Sequence, residues 1–470
     1  MGFALLIAVQ TSCRENEFGV VDLTLPEGVY VPVEAEYTYN HPCAMFNQAD
    51  FDRVKKMLND GTAPQKVKDE FENLKNSSYV SASSYTPQPQ TKIVRGDVTG
   101  TGFSSENYSY AMEDAAAAYQ MALLWKLTGT EQYAKNVVNI LNQWAATCTE
   151  VTSNDANHKL AAGAQGYTFA NAAEIMQTYD GWTEADKTTF KTWMVKVFAS
   201  KNKDFLDNHQ GSNNCALHYW SNWDLVNMCS YLSIGILTED DDMVNYIVNY
   251  FYNGVGNGAL NNLIQGTHVD PLSGEEICQN QESGRDQGHA QMSAAVTANL
   301  CQIAYTFYQD NKDISRLDFF AANNNAVMKM GEYVALSNAT DGVKNDNSDG
   351  TWLIDITKIP FKEYQYCTNC TCKDKNHGQD HKVVSDDGRG EVRPGWEIFY
   401  THYAKIKGLS SGYKYAQVLA DKMRPEGGAG ETANRYGSNS GAFDQLGWAT
   451  LMLYRRLLYT SPSPRDRSVS

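Results

Sequence analysis

The sequence predicts a mainly α fold: an (α/α)n toroid, an incomplete α/α barrel of helical hairpins with a small irregular insertion. Three observations carry this expectation. Apolar residues recur at helical spacing in one segment after another. Capping residues and glycine stops divide those segments into hairpin-sized pieces. Strand signals are sparse until the later part of the chain. Helix pairs joined by loops bury their apolar faces by stacking side by side, and a closing stack leaves the loops on one face to build a site. No clear internal repeat accompanies the pattern, so the toroid rests on periodicity alone.

The elements follow in order. In residues 1–13, the apolar run 3–9 is too short to span a bilayer and is followed by Thr11-Ser12-Cys13. This reads as the end of a secretory signal with a lipidation cysteine. The chain is therefore expected to be exported, as a periplasmic or outer-membrane lipoprotein that meets the membrane only through its anchor. Residues 14–40 are rich in Val, Glu and Pro without helical period and read as a tether, which places the domain at 41–459. Asn47-Gln48-Ala49-Asp50 is a capping box ahead of a helix over 51–58. Residues 76–107 read as a long loop.

Helices are then expected over 110–127, stopped by Gly129, and over 131–146, with Val137, Ile140, Leu141 and Trp144 on one face. Further helices are expected over 160–179, after the cap Thr183, over 220–236, 242–253 and 292–307. Residues 338–392 break the pattern: a polar turn at 345–350, a strand at 351–356, then a Cys/His-bearing stretch. Helix resumes at Trp396 and ends over 443–459. Residues 460–470 are Ser-, Pro- and Arg-rich and read as a disordered or non-native tail.

Composition narrows the function classes. The 470 residues are 42% hydrophobic and 11% aromatic, enough for a large core. A net charge of −16 without a basic block argues against nucleic acid, which needs a phosphate-matching basic face. An anionic ligand would have to meet a local group of Arg, Lys and His against the global field. The 28 Tyr and 9 Trp suit carbohydrate platforms, although ordinary core packing accounts for most of them.

Three segments carry candidate chemistry. The densest is Gln281-Glu282-Ser283-Gly284-Arg285-Asp286-Gln287-Gly288-His289-Ala290-Gln291, polar throughout and running into a small-residue helix. The second holds His218, Tyr219, Trp220 and Asn222. The third begins Arg393-Pro394-Gly395; if 396–403 is helical, Trp396, Tyr400 and Tyr403 share one face. Such a stripe is more often core than site, but Arg393 before it and His402 within it tilt the reading towards a site. Separately, Cys367, Cys370 and Cys372 with His377 and His381 supply more ligands than a tetrahedral zinc needs. A structural zinc there stands against disulfides or free thiols in an oxidising compartment.

Residues 110–146, with the Leu-Thr-Gly-Thr turn and Ile-Leu-Asn-Gln-Trp-Ala, resemble the alginate lyase superfamily of helical-toroid polysaccharide lyases. So does the stretch 160–174. The Glu-Ser-Gly-Arg-Asp-Gln-Gly-His and Arg-Pro-Gly-Trp-Glu segments resemble an exported Gram-negative branch. The chain departs from the better-known members: Cys215 follows Asn213-Asn214 where they carry histidine, and Met292 stands seven residues after Arg285 where they carry the catalytic tyrosine.

The resemblance implies β-elimination on a polyanionic uronate glycan, alginate first and glucuronan or another uronate polymer next. No cofactor is required for catalysis. The carboxylate beside the C5 proton must be neutralised, a base must take that proton, and an acid must protonate the departing oxygen. Tyr400 is then expected as base and acid, with Arg393 lowering the phenol's pKa from its usual value near 10. His289, oriented by Glu282, would be the second proton-transfer group or a neutraliser of the carboxylate. Asn222 and Arg285 would hold the carboxylate, with His218, Tyr219, Trp220, Gln287, Trp396 and Tyr403 lining the groove. A toroid glycoside hydrolase would instead recruit Glu282 with Glu397 or Asp286. A glycan-binding lipoprotein would need no catalyst.

Overall fold

A computed structural model describes residues 30–209, 216–341, 350–367, 378–391, 393–430 and 443–455. Helices come in the order α1 (Gln48–Asn59), α2 (Gln65–Lys75), α3 (Tyr108–Thr128), α4 (Glu131–Thr147), α5 (Asn157–Met176), α6 (Glu184–Met194), α7 (Ser200–Asn208), α8 (Ser221–Thr238), α9 (Asp241–Asn253) and α10 (Leu260–Leu263). They continue with α11 (Gln287–Tyr308), α12 (Ala322–Asn338), α13 (Trp396–Tyr400), α14 (Lys414–Met423) and α15 (Ala449–Met452). Strands among the described residues form three two-stranded pieces: β1 (Lys92–Val94) with β2 (Glu150–Thr152), β3 (Ile264–Val269) with β4 (Glu276–Asn280), and β5 (Tyr364–Gln365) with β6 (Asp380–His381). No described helix is long and apolar enough to cross a membrane.

The predicted mainly α hairpin architecture is the observed one. Helices α3, α5, α8 and α11 are buried almost all round, as helices at the centre of a stack must be. α4 and α9 bury a single stripe and cover them. Small residues let the inner helices approach closely. A Cβ on Gly163 would stand 2.7 Å from Val226, and one on Gly166 would stand 2.2 Å from the Ser230 hydroxyl.

The inner helices run parallel. Asn171 donates to Ser233 Oγ, so residue numbers rise together along α5 and α8. Lys126 donates to Thr178 just beyond the C-terminal end of α5, and Ser221 meets Ser293 near the start of α8 and α11. The N-termini of α8 and α11 therefore open on one face of the stack, where orphan backbone N–H groups and the helix dipoles favour anions.

The local stop and start signals act as predicted. Asn47 forms a capping box with Asp50, Thr183 accepts from the Asp186 amide, and Gly129 ends α3 at φ +73°. Other expectations change. α11 begins at Gln287 rather than 292, because Asp286 caps it. The 351–356 stretch makes an isolated bridge at Trp352 and then a 3-10 turn, not a strand. The β3–β4 hairpin went unpredicted. The end of the expected tether is packed: Tyr37 and Tyr39 lie against Phe307, and Tyr37 donates to Asn245. The N-terminal run with Cys13 and the residues after Arg455 lie outside the described residues.

Candidate active site

The site is built at the N-terminal ends of α8 and α11. Both helices begin with amides that need acceptors, and the 281–286 turn supplies them. Gln281 Oε1 accepts from the Ser221 amide at 3.1 Å. Glu282 Oε1 accepts from the Asn222 amide at 2.9 Å, the Asn222 side chain at 2.7 Å and the Ser221 hydroxyl at 2.9 Å. Its other oxygen takes Arg285 Nη1 at 3.0 Å. A wholly buried carboxylate thus caps one helix and anchors one guanidinium. Arg285 is also held from the side: its guanidinium lies 4.9 Å from the Trp220 ring centroid.

Asp286 does the same for the next helix. It caps α11 by accepting from the His289 amide at 2.8 Å, and it takes the His289 ring at Nδ1 at 2.7 Å. An ionised carboxylate only accepts, so Nδ1 carries a proton, and in the neutral imidazole Nε2 is then the acceptor. Burial pushes the Asp286 carboxyl up. The His289 hydrogen bonds and the nearby Arg285 charge outweigh it and hold the group below the usual carboxylate range. The His289 side chain remains 39% exposed and that of Arg285 26%, so solvent reaches both.

The insertion forms a wall of this site rather than standing apart from it. Tyr366 stacks on Trp220 with centroids 4.3 Å apart. His381 stacks on Tyr364 and takes Gly284 O through Nδ1 at 2.8 Å. Burial holds His381 below the usual imidazole range. Ser385 and Asp387 bond the backbone of Ser283 and Gln287.

The structure thus gathers His218, Tyr219, Trp220, Asn222, Glu282, Arg285 and His289 at one end of the stack. Several expected roles change. Asp286, not Glu282, orients His289. Asn222 is buried and its side-chain amide is spent on Glu282. Gln287 is buried and bonded to Ser283, Ser385 and Asn338. Trp396 and Tyr403 are core: the indole donates to Gln291 and the phenol to Phe320 O. Of the expected zinc ligands, Cys370, Cys372 and His377 lie outside the described residues. Cys367 Sγ stands 3.7 Å from His218 Nδ1.

Tyr400 is the largest correction. The chain from Trp396 to His402 runs alongside α11, from Gln291 at one end to Tyr305 near the other. That interval is roughly 20 Å on a helix rising about 1.5 Å per residue. Tyr400 shares a pocket with Lys405, Arg424, Tyr454 and Arg455, and Arg455 lines a second pocket with Gln302, Tyr305 and Gln309. Its phenol therefore belongs to the end of the stack opposite His289. The cations over its ring are Arg424 and Lys405, each at 5.0 Å, whereas Arg393 faces Asp444 at 3.5 Å. Glu397 is buried and its carboxylate is held by Arg424 and Thr401, so it does not pair with Glu282 or Asp286 in a hydrolase. Tyr400→Phe is accordingly expected to keep turnover within about twofold of the parent, measured as initial rate on the polymer cleaved, since surface changes away from a site usually cost little.

The pairing of Asp286 with His289 and the part of the insertion's aromatics escaped the sequence reading. The Asp-x-x-His spacing was visible, since an N-cap and the third residue of the helix always meet. Nothing local linked residues 364–381 to Trp220.

The comparisons agree with this architecture. Alginate lyase A1-III from Sphingomonas species A1 superposes with a TM-score of 0.50 at 14% identity, over 88% of this chain and 96% of that one. The apo form of a histidine-to-alanine variant of alginate lyase A1-III matches with the same figures. At that identity the likeness speaks for the fold, an α/α toroid. No curated protein matches the chain. The alginate lyase family model matches residues 62–341, more than half of the sequence and the whole span from α3 to α11 that carries Glu282, Arg285 and His289. The chain therefore belongs to the alginate lyase family, and is a polysaccharide lyase.

Proposed function

We propose that the protein cleaves alginate by β-elimination, with the Asp286–His289 pair as the proton-transfer device. One observation carries this: an imidazole whose Nδ1 is tied to a carboxylate, at a solvent-reached helix start beside an anchored guanidinium. Arg285 pairs with the uronate carboxylate and stabilises the enolate-like charge that develops when the C5 proton leaves. His289 Nε2 accepts that proton, the C4–C5 double bond forms, and the C4–O bond breaks. The imidazolium then returns a proton to the departing glycosidic oxygen, so one group serves as base and acid on one face of the sugar. This gives His289 the part that the sequence assigned to Tyr400. Trp220, Tyr219 and Tyr366 form the apolar wall, with Trp220 positioning Arg285. The reading extends to an exported, lipid-anchored enzyme, supported by the apolar run 3–9 and Cys13.

The test is product chemistry on a panel of alginate, polymannuronate, polyguluronate and glucuronan. Elimination leaves a conjugated, ultraviolet-absorbing sugar end, strongest on alginate. Reducing ends without absorbance would make the protein a hydrolase, and neither product would make it a binder. Arg285→Ala is expected to lower kcat/KM on the preferred polymer by about 10²–10³-fold, the loss typical of removing one donor to a developing oxyanion.

A further inference from the structure

At the opposite end of α5 lies a group that catalysis does not use. His41 Nδ1, Cys43 Sγ and a Glu174 carboxylate oxygen converge so that all three atoms lie within 4.8 Å of one another. His41 Nδ1 is 2.9 Å from Glu174 and 3.8 Å from Cys43 Sγ. We infer that His41, Cys43 and Glu174 bind one divalent metal ion of the zinc type, which clips the incoming chain to the C-terminal end of α5.

The donor set is one nitrogen, one sulfur and one oxygen, which suits a borderline-soft ion and not calcium or magnesium. Tetrahedral zinc with bonds of about 2.0–2.3 Å places its ligand atoms roughly 3.2–3.8 Å apart. The sulfur–nitrogen distance already lies at the upper end of that range, and the His41–Glu174 contact has to open by about 0.3 Å. Three protein ligands leave a fourth position for water, and the His41 side chain is 14% exposed.

A second, independent feature has the form that metal-bound histidines take. The other ring nitrogen of His41 lies 3.3 Å from Glu239, so a carboxylate would orient the ligating imidazole from behind. The surrounding charge also favours a cation. Glu174, Glu239 and Asp310 act on His41 and Cys43, with Lys191 opposing them at His41. The Cys43 amide donates to Glu174 at 2.7 Å, which fixes the sulfur beside the carboxylate. Binding would release the thiol proton to solvent, as thiolate–zinc formation requires.

The test compares full-length wild type with Cys43→Ala and Glu174→Gln. Each protein is stripped with chelator, reloaded with zinc, and its bound metal counted by mass spectrometry. Each variant is expected to hold one equivalent fewer than wild type, whatever the separate cysteines near 367–372 bind. Cobalt loading is expected to give a thiolate-to-cobalt charge-transfer band in wild type that weakens in Cys43→Ala. Equal metal counts in wild type and Cys43→Ala, or an unchanged cobalt band, overturn the inference. Should Cys43→Ala fail to fold, Cys43→Ser keeps the volume without a zinc-binding thiolate and is read in the same way. Lyase activity is expected to be unchanged in folded Cys43→Ser, because the group stands at the far end of the inner helices from His289.

Discussion

His289→Ala is expected to lower turnover by about 10²–10⁴-fold, the usual worth of a positioned proton-transfer group. Binding should change far less, because the Arg285 guanidinium stays anchored to Glu282 and beside Trp220. Asp286→Asn is the companion variant. Asparagine still caps α11, so folding should survive. The imidazole, however, loses a charged acceptor at Nδ1 and with it the fixed tautomer. A fall in kcat at nearly constant KM, smaller than that of His289→Ala, is the expected result, read from steady-state kinetics followed by ultraviolet absorbance. Unchanged kcat in His289→Ala would end the mechanism. The pair also links stability to pH. The Asp286 pKa is depressed in the folded state, so its contribution is present above the ordinary carboxyl range and lost as pH falls through the folded value. The side chain is a quarter exposed, which keeps that contribution small.

Glu282→Ala is expected to cost about 3–5 kcal/mol of stability, the range for breaking a buried charge network by removing one partner. The reason is the number of groups left behind. The Ser221 hydroxyl, the Asn222 amide and side chain, and Arg285 all lose their acceptor at once. The start of α8 would then carry unpaired buried donors, and Arg285 would be free to leave its place beside Trp220. Urea unfolding at constant m-value measures the first effect, and kcat/KM the second. Glu282→Gln keeps one acceptor oxygen and should fall between the two. A loss below 1 kcal/mol in Glu282→Ala would show that Glu282 is not the keystone of this end of the stack.

Glu282 belongs to a pattern. Glu426 accepts from the amides of Gly395, Trp396 and Glu397 at the start of α13. Glu332 accepts from Tyr415 and Ala416 at the start of α14, and burial raises its pKa to about 7. Glu70 accepts from Leu451 in α15. Four buried glutamates thus terminate helices that carry no adequate cap of their own. The contrast with Asn47 and Thr183 is instructive. Those caps sit three residues before the amide they serve and are legible locally, whereas Glu282 serves an amide 60 residues away.

The third candidate segment shows the same limit from the other side. A stripe of Trp396, Tyr400 and Tyr403 beside an arginine and a histidine carries the composition of a site. Its helix is buried along α11, so Trp396, His402 and Tyr403 became core. Tyr400 emerged at the wrong end. A stripe reports that one helix face is occupied, but it does not say by what.

The sequence by itself determined the class of fold and the positions of most helices, and it singled out the segment 281–291 by its density of polar groups. Those features follow from 3.6-residue periodicity, local caps and local polarity, all of which act over a few residues. Only the tertiary structure decided that Asp286 and not Glu282 orients His289, that the insertion's aromatics brace Trp220, and that Tyr400 stands away from His289. Each of those depends on which helix end faces which. Parallel packing of α5, α8 and α11 settles that, through contacts between residues far apart in the chain.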